Sequence, residues 1–124
     1  MAVRRVLSIG QCGFDSAAIE KLFEQNHSAS VTSVDSASEA ASQLKAGTFE
    51  LVLVNRRLDA DGSSGLSLLE QLLAQSPSVP MMLVSDRADA QQEAVSKGAL
   101  PGFGKSALRA PETAERIRSA LGQE

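Results

Sequence analysis

Four consecutive apolar residues, Leu51-Val52-Leu53-Val54, set between Phe49-Glu50 and a polar run from Asn55 to Gly65, constrain this chain more than any other stretch. An apolar run of strand length with no polar residue at alternate positions reads as a strand covered on both faces, the condition of a central strand in a parallel sheet. Its last residue is delivered to the carboxyl edge, where open α/β sheets place their ligand crevices. That residue is Asn55, an amide and not a carboxylate.

Around this strand, short apolar runs alternate with amphipathic ones. Val6 to Ile9 predicts a first strand closing at Gly10, and Asp15 or Ser16 can cap a helix that buries Ile19, Leu22 and Phe23 and stops near Asn26. Val31 to Val34 predicts a second strand. Ser36 and Glu39 have capping-box spacing before a helix with Ala37, Ala40, Ala41 and Leu44 that ends at Gly47. Leu66, Leu69, Leu72 and Leu73 form a helical stripe with Leu68 beside it at a position open to exposure, and Pro77 and Pro80 end that helix. Met81 to Val84 predicts the fourth strand, stopping at Ser85. Asp86 or Asp89 can cap a helix carrying Ala90, Ala94 and Val95 up to Gly98. Leu100 to Lys105, with Pro101 and two glycines, suits an edge strand, and Pro111 suits the first turn of a last helix that turns Ala114, Ile117 and Leu121 inward. The order is (βα)5. Right-handed crossovers fold such an order into a doubly wound parallel sheet with helices on both faces, a single α/β domain over residues 1–124.

Composition narrows the function. A net charge of −3 argues against a surface for nucleic acid. No apolar stretch approaches the ~18 residues of a membrane span, and the start shows no signal-peptide core. A single cysteine excludes an internal disulfide and suits a reducing cytoplasm.

Asn55 at the end of the third strand, Ser85 thirty residues on at the end of the fourth, Lys105 twenty further on, and Gly98-Ala99 before that lysine carry a family pattern. Over essentially its whole length the chain resembles a response regulator receiver domain of two-component signalling. The resemblance implies a flavodoxin-like fold with strand order 2-1-3-4-5. In the family an aspartate ending the third strand accepts a phosphoryl group, and two acids ending the first strand hold Mg²⁺. Here those positions are Asn55 and Gly10-Gln11, followed by Cys12. Gly102 stands where the family has an aromatic residue three before the lysine, and Ser106 where it has a proline after it. The loop Leu58 to Gly65 is longer than usual and lacks the family's proline.

An amide has no charged oxygen with which to attack phosphorus, and Mg²⁺ needs carboxylates to hold it. Asn55, Gly10, Gln11, Ser85 and Lys105 therefore read as a vestigial phosphoacceptor site with no cofactor, in which Lys105 is expected to bond the Asn55 or Gln11 carbonyl oxygen or reach into water. Plainer roles stand beside these: Asn55 as a strand-end turn former, Ser85 and Asp15 as helix caps, Lys105, Arg56, Arg57 and His27 as surface residues, Asp59 and Asp61 as loop formers. The alternative is a residual switch, either a metal or phosphate site using Asp59 or Asp61, or a thiol sensor at Cys12 activated by Lys105. Gly104-Lys105-Ser106 comes near a phosphate-binding loop, but Ala99 stands where that pattern needs glycine and too little chain follows for a Walker B strand.

The resulting expectation is a non-enzymatic pseudo-receiver, a protein interaction module acting without aspartyl phosphorylation. Its partners would be signalling proteins, such as a histidine kinase or an output protein. The resemblance places docking or homodimerisation on the face of the fourth helix, fifth strand and last helix, with Gln91, Gln92, Glu93, Arg109, Glu115, Arg116 and Arg118 exposed there.

Overall fold

A computed structural model describes residues 3–122. Five parallel strands, β1 (Arg4–Ile9), β2 (Ala29–Val34), β3 (Leu51–Asn55), β4 (Met81–Val84) and β5 (Leu100–Phe103), form one sheet in the order β2-β1-β3-β4-β5. The connecting helices are α1 (Gly13–His27), α2 (Ala37–Ala46), α3 (Gly65–Gln75) and α4 (Ala88–Ser96). After β5 come a 3₁₀ turn (Lys105–Ala107) and α5 (Pro111–Ala120). The strand order is the one the family resemblance implies.

The two-residue period of a strand divides the core into two layers. Val52 and Val54 of β3, with Leu7, Ile9, Met81 and Leu83, pack against α2, α3 and α4 through Ala40, Leu69, Leu72, Ala90 and Ala94. Leu51 and Leu53, with Val6, Met82, Val84 and Phe103, pack against α1 and α5 through Ile19, Leu22, Phe23, Ile117 and Leu121. The all-apolar β3 is thus explained, since every one of its first four side chains has a helix layer to enter.

Local chemistry departs from expectation at several ends. The cap of α1 is Cys12, not Asp15 or Ser16: its Sγ accepts the Asp15 N–H, and the helix runs past Asn26 to His27 before Ser28 closes it in the left-handed region. His27 is buried against Phe23, with ring centroids 5.5 Å apart, and is not a surface residue. Leu68 is buried whereas Leu66 and Leu73 are only partly so. Neither Asp86 nor Asp89 caps α4, whose N-cap is Arg87 without a side-chain bond. Val95 is 44% exposed. Ser36 caps α2 as its spacing predicts, its hydroxyl oxygen accepting the Glu39 N–H at 3.2 Å, while the Glu39 carboxylate accepts the Ser36 hydroxyl at 3.0 Å. As an edge strand, β5 accommodates Pro101, ends at Phe103 and pairs irregularly with β4.

Candidate functional site

The carboxyl ends of β3 and β4 and the turn after β5 converge on a cleft of about 290 Å³. Asn55, Ser85 and Lys105 line it, together with Arg56, Arg57, Val84, Asp86 and Arg87. Parallel pairing aligns Asn55 with Val84, so the residues that follow each strand emerge side by side.

Asn55 is held by its amide nitrogen. Nδ2 donates to the Gly10 carbonyl at 3.2 Å and to the Arg57 carbonyl at 2.6 Å, tying the end of β1 to the loop after β3. Both bonds need an N–H donor, which a carboxylate lacks. The same loop closes on Gly10 a second way, with Asp59 N–H donating to the Gly10 carbonyl at 2.9 Å. Gly10 adopts φ +79°, and a Cβ there would overlap the buried Leu58 side chain, so only glycine fits this approach. Gln11 beside it is buried, and its side-chain amide makes no hydrogen bond within the chain.

Lys105 does not bond Asn55 or Gln11. Its Nζ lies 2.7 Å from Asp15 Oδ2, an ion pair from the 3₁₀ turn to the first turn of α1. The Cys12 thiol donates to the same Oδ2 at 3.1 Å. Lys105, and secondarily Cys12, hold the Asp15 carboxyl below the usual aspartate range despite partial burial. Asp15 is therefore the anionic partner that the expectation for Lys105 lacked. The two residues are ninety positions apart, and no local spacing announces the pair.

The other walls are defined by short bonds. The Ser85 hydroxyl oxygen accepts the Arg87 N–H at 3.1 Å. Asp86 Oδ1 accepts the Ser106 hydroxyl at 2.6 Å and its N–H at 3.3 Å, and Arg87 pairs with Asp89 at 2.9 Å. Asp59 and Asp61 are exposed in the loop and are not among the cleft-lining residues. Asp61 accepts the Ser63 N–H at 2.9 Å, and Ser63 lowers its pKa. Among the described residues no cluster of three His, Cys, Asp or Glu is placed to hold a metal ion.

Behind the cleft, Gln91 bridges β4 and β5. Its Nε2 donates to the Leu83 and Ser85 carbonyls at 2.9 and 3.0 Å, and its Oε1 accepts the Gly102 N–H at 3.0 Å. Arg116 donates to the Gly102 carbonyl at 2.7 Å. A side chain at Gly102 would run into the Leu83 carbonyl and Gln91. Gln91 and Arg116 are thus tied to the sheet by these bonds, Gln91 half-buried and Arg116 still exposed on the face where the sequence suggested a docking surface.

A doubly wound sheet in this order, with its cleft outside the ends of β3, β4 and β5, defines the flavodoxin-like class of α/β proteins. Within that class the chain belongs to the response regulator receiver domain family, whose sequence profile matches residues 15–117. No curated protein matches the sequence. Among solved structures, a putative response regulator from Chloroflexus aurantiacus superposes with a TM-score of 0.84 at 15% identity, covering 98% of this chain and 100% of the other. NtrX from Brucella abortus superposes with a TM-score of 0.79 at 18% identity over 98% of this chain, which spans only 28% of the NtrX chain. The beryllofluoride-activated NtrC4 receiver domain dimer superposes with a TM-score of 0.79 at 16% identity, covering 95% of this chain and 96% of the other. The family acts in two-component signalling, where receiver domains interact with kinases and output proteins and some dimerise. No helix among the described residues is long and apolar enough to cross a membrane.

Proposed function

We propose that this chain is a pseudo-receiver: a non-enzymatic module that engages a signalling partner without being phosphorylated and without holding Mg²⁺. The observation that carries the reading is the Asn55 side chain, which stands at the family's phosphoacceptor position and donates to two backbone carbonyls. A nucleophile must present an electron pair, whereas this amide presents its N–H groups to the chain. The donor set does not fit a dication. Mg²⁺ takes oxygen ligands including one or two carboxylates, but the cleft offers Asp86, already bonded to Ser106, among four cationic side chains. Gly10 leaves no room for an acid. Gly102, pinned by Gln91 and Arg116, supports one fixed arrangement of β4 and β5 where a switching receiver has two.

The face formed by α4, β5 and α5 is the docking surface. It carries clefts of about 500 and 340 Å³, lined in part by Leu100, Pro101, Val95 and Glu115, with Val95 and Leu100 exposed beside charged residues. A kinase, an output protein or a second copy of this chain, as in the NtrC4 dimer, would bind there.

The test is incubation with Mg²⁺ and acetyl phosphate or beryllofluoride, read by intact mass and amide NMR. Unchanged mass is expected, and no response of the Ser85 and Lys105 amides that depends on Mg²⁺. A phosphoryl mass gain, or a shift at those residues that requires Mg²⁺, overturns the reading.

A further inference from the structure

Sites that accept phosphoryl groups through a metal are built from carboxylates, yet this cleft has the opposite sign. Arg56, Arg57, Arg87 and Lys105 line it against the single carboxylate of Asp86, on a chain whose net charge is −3. Two of those cations are matched, Lys105 by Asp15 and Arg87 by Asp89. Arg56 and Arg57 enter no ion pair among the described residues. Like charges gathered on adjacent residues repel, and an oxyanion between them removes that repulsion.

Backbone bonds fix the points at which the two arginines leave the sheet edge. Arg56 N–H donates to the Val84 carbonyl at 3.3 Å, its carbonyl accepts the Gly65 N–H at 2.7 Å, and the Arg57 carbonyl accepts Asn55 Nδ2 at 2.6 Å. Ser85 accepts from Arg87 N–H and retains its own hydroxyl proton for an acceptor in the cleft. At about 290 Å³ the space lies at the small end of the roughly 300–1,000 Å³ typical of ligand pockets, sized for a compact head group and not a nucleotide. Two unmatched guanidinium groups suit a dianion, and their planar forks match phosphate oxygens.

We propose that this cleft binds a small phosphate-class dianion reversibly and without metal, through Arg56 and Arg57 assisted by Lys105 and Ser85. The proposal rests on the reading that Asn55 takes no phosphoryl group, and no bond to the chain forms or breaks. Such a ligand would bridge the β3 and β4 ends and signal its presence through the adjoining surface.

Inorganic phosphate and methyl phosphate are titrated separately into the full chain in EDTA at constant ionic strength, with chloride as control, following the amides of Arg57, Ser85 and Lys105. Saturable shifts are expected with at least one probe, unchanged by added Mg²⁺. Tighter binding of methyl phosphate would identify an ester as the ligand, and equal or tighter binding of inorganic phosphate the free ion. Arg57→Gln at an exposed position should weaken binding about tenfold, and Asp15→Asn, by freeing Lys105, should tighten it. Chloride-like linear drift with both probes, binding that requires Mg²⁺, or affinity unaltered in Arg57→Gln overturns the proposal. Intact mass is recorded after a parallel acetyl phosphate incubation. A gain there refutes the pseudo-receiver reading, whereas unchanged mass with no saturable shift refutes only the anion site.

Discussion

Replacing Asn55 by aspartate restores the residue type the family uses, and the structure predicts damage instead of rescue. The amide nitrogen makes two bonds, to the Gly10 carbonyl at 3.2 Å and the Arg57 carbonyl at 2.6 Å, and a carboxylate can make neither. Each is worth about 1 kcal/mol net, so Asn55→Asp should cost about 2 kcal/mol at pH 7. No further penalty is added, since Gly10 keeps a partner in the Asp59 N–H and the exposed Arg57 carbonyl can be met by water. Urea unfolding of both proteins at pH 7 measures the difference. A loss below about 0.5 kcal/mol would refute the assigned role of the amide. The same variant should gain no phosphoryl mass with acetyl phosphate and Mg²⁺, because Gly10 and Gln11 still offer no carboxylate.

Three further outcomes follow from the same geometry. Lys105 holds the Asp15 carboxyl below its unfolded value of 3.8, so the stabilisation by this ion pair is fully present above that value and lost as pH falls through the lower folded one. The wild-type advantage over Asp15→Asn in urea unfolding should be flat at neutral pH and vanish in acid. Gln91→Ala removes three bonds to the backbone of β4 and β5, should cost about 2–3 kcal/mol, and should speed hydrogen exchange at the Gly102 amide; unaltered exchange would show that Gln91 is not the clamp. Gly10→Ala combines a left-handed backbone cost of about 1–2 kcal/mol with overlap against Leu58 costing about 1–3 kcal/mol, and its thermal midpoint should drop, while an unchanged midpoint would mean the loop simply moves aside.

The sheet was legible because its signals are local. Val6 to Ile9, Leu51 to Val54 and Met81 to Val84 are apolar runs too short for helices, and each enters two helix layers as such runs must. The meeting of Asn55, Ser85 and Lys105 at one cleft was legible for a related reason: strand-end residues of a parallel sheet share an edge, so sequence spacing translates into proximity. What escaped were contacts made by tertiary packing alone. Cysteine is a rare helix cap, so Cys12 was passed over for Asp15, and that freed the Asp15 carboxylate to meet Lys105 across the fold. Gln91 looked like surface because glutamine usually is, but Gly102 removes the side chain that would have kept it out of the β4–β5 groove. His27 carries no apolar signature, yet the last turn of α1 brings it under Phe23.

The departures from the family pattern are physically coupled, and that coupling argues against reading them as separate losses. Gly10 lets Leu58 approach, and this approach brings Asp59 N–H onto the Gly10 carbonyl. The loop so placed holds the Arg57 carbonyl within reach of Asn55, whose amide then joins Gly10 to Arg57. An acid at Gly10 would displace Leu58, an acid at Asn55 would break the join, and either change would disturb the backbone that sets Arg56 and Arg57 at the cleft. Residues sharing one hydrogen-bond network do not contribute additively, so substitutions at Gly10 and Asn55 are expected to couple in a double-mutant cycle. On the pseudo-receiver reading, placing a metal-binding acid at Gly10 or Asn55 means rebuilding the loop from Leu58 to Gly65 along with it.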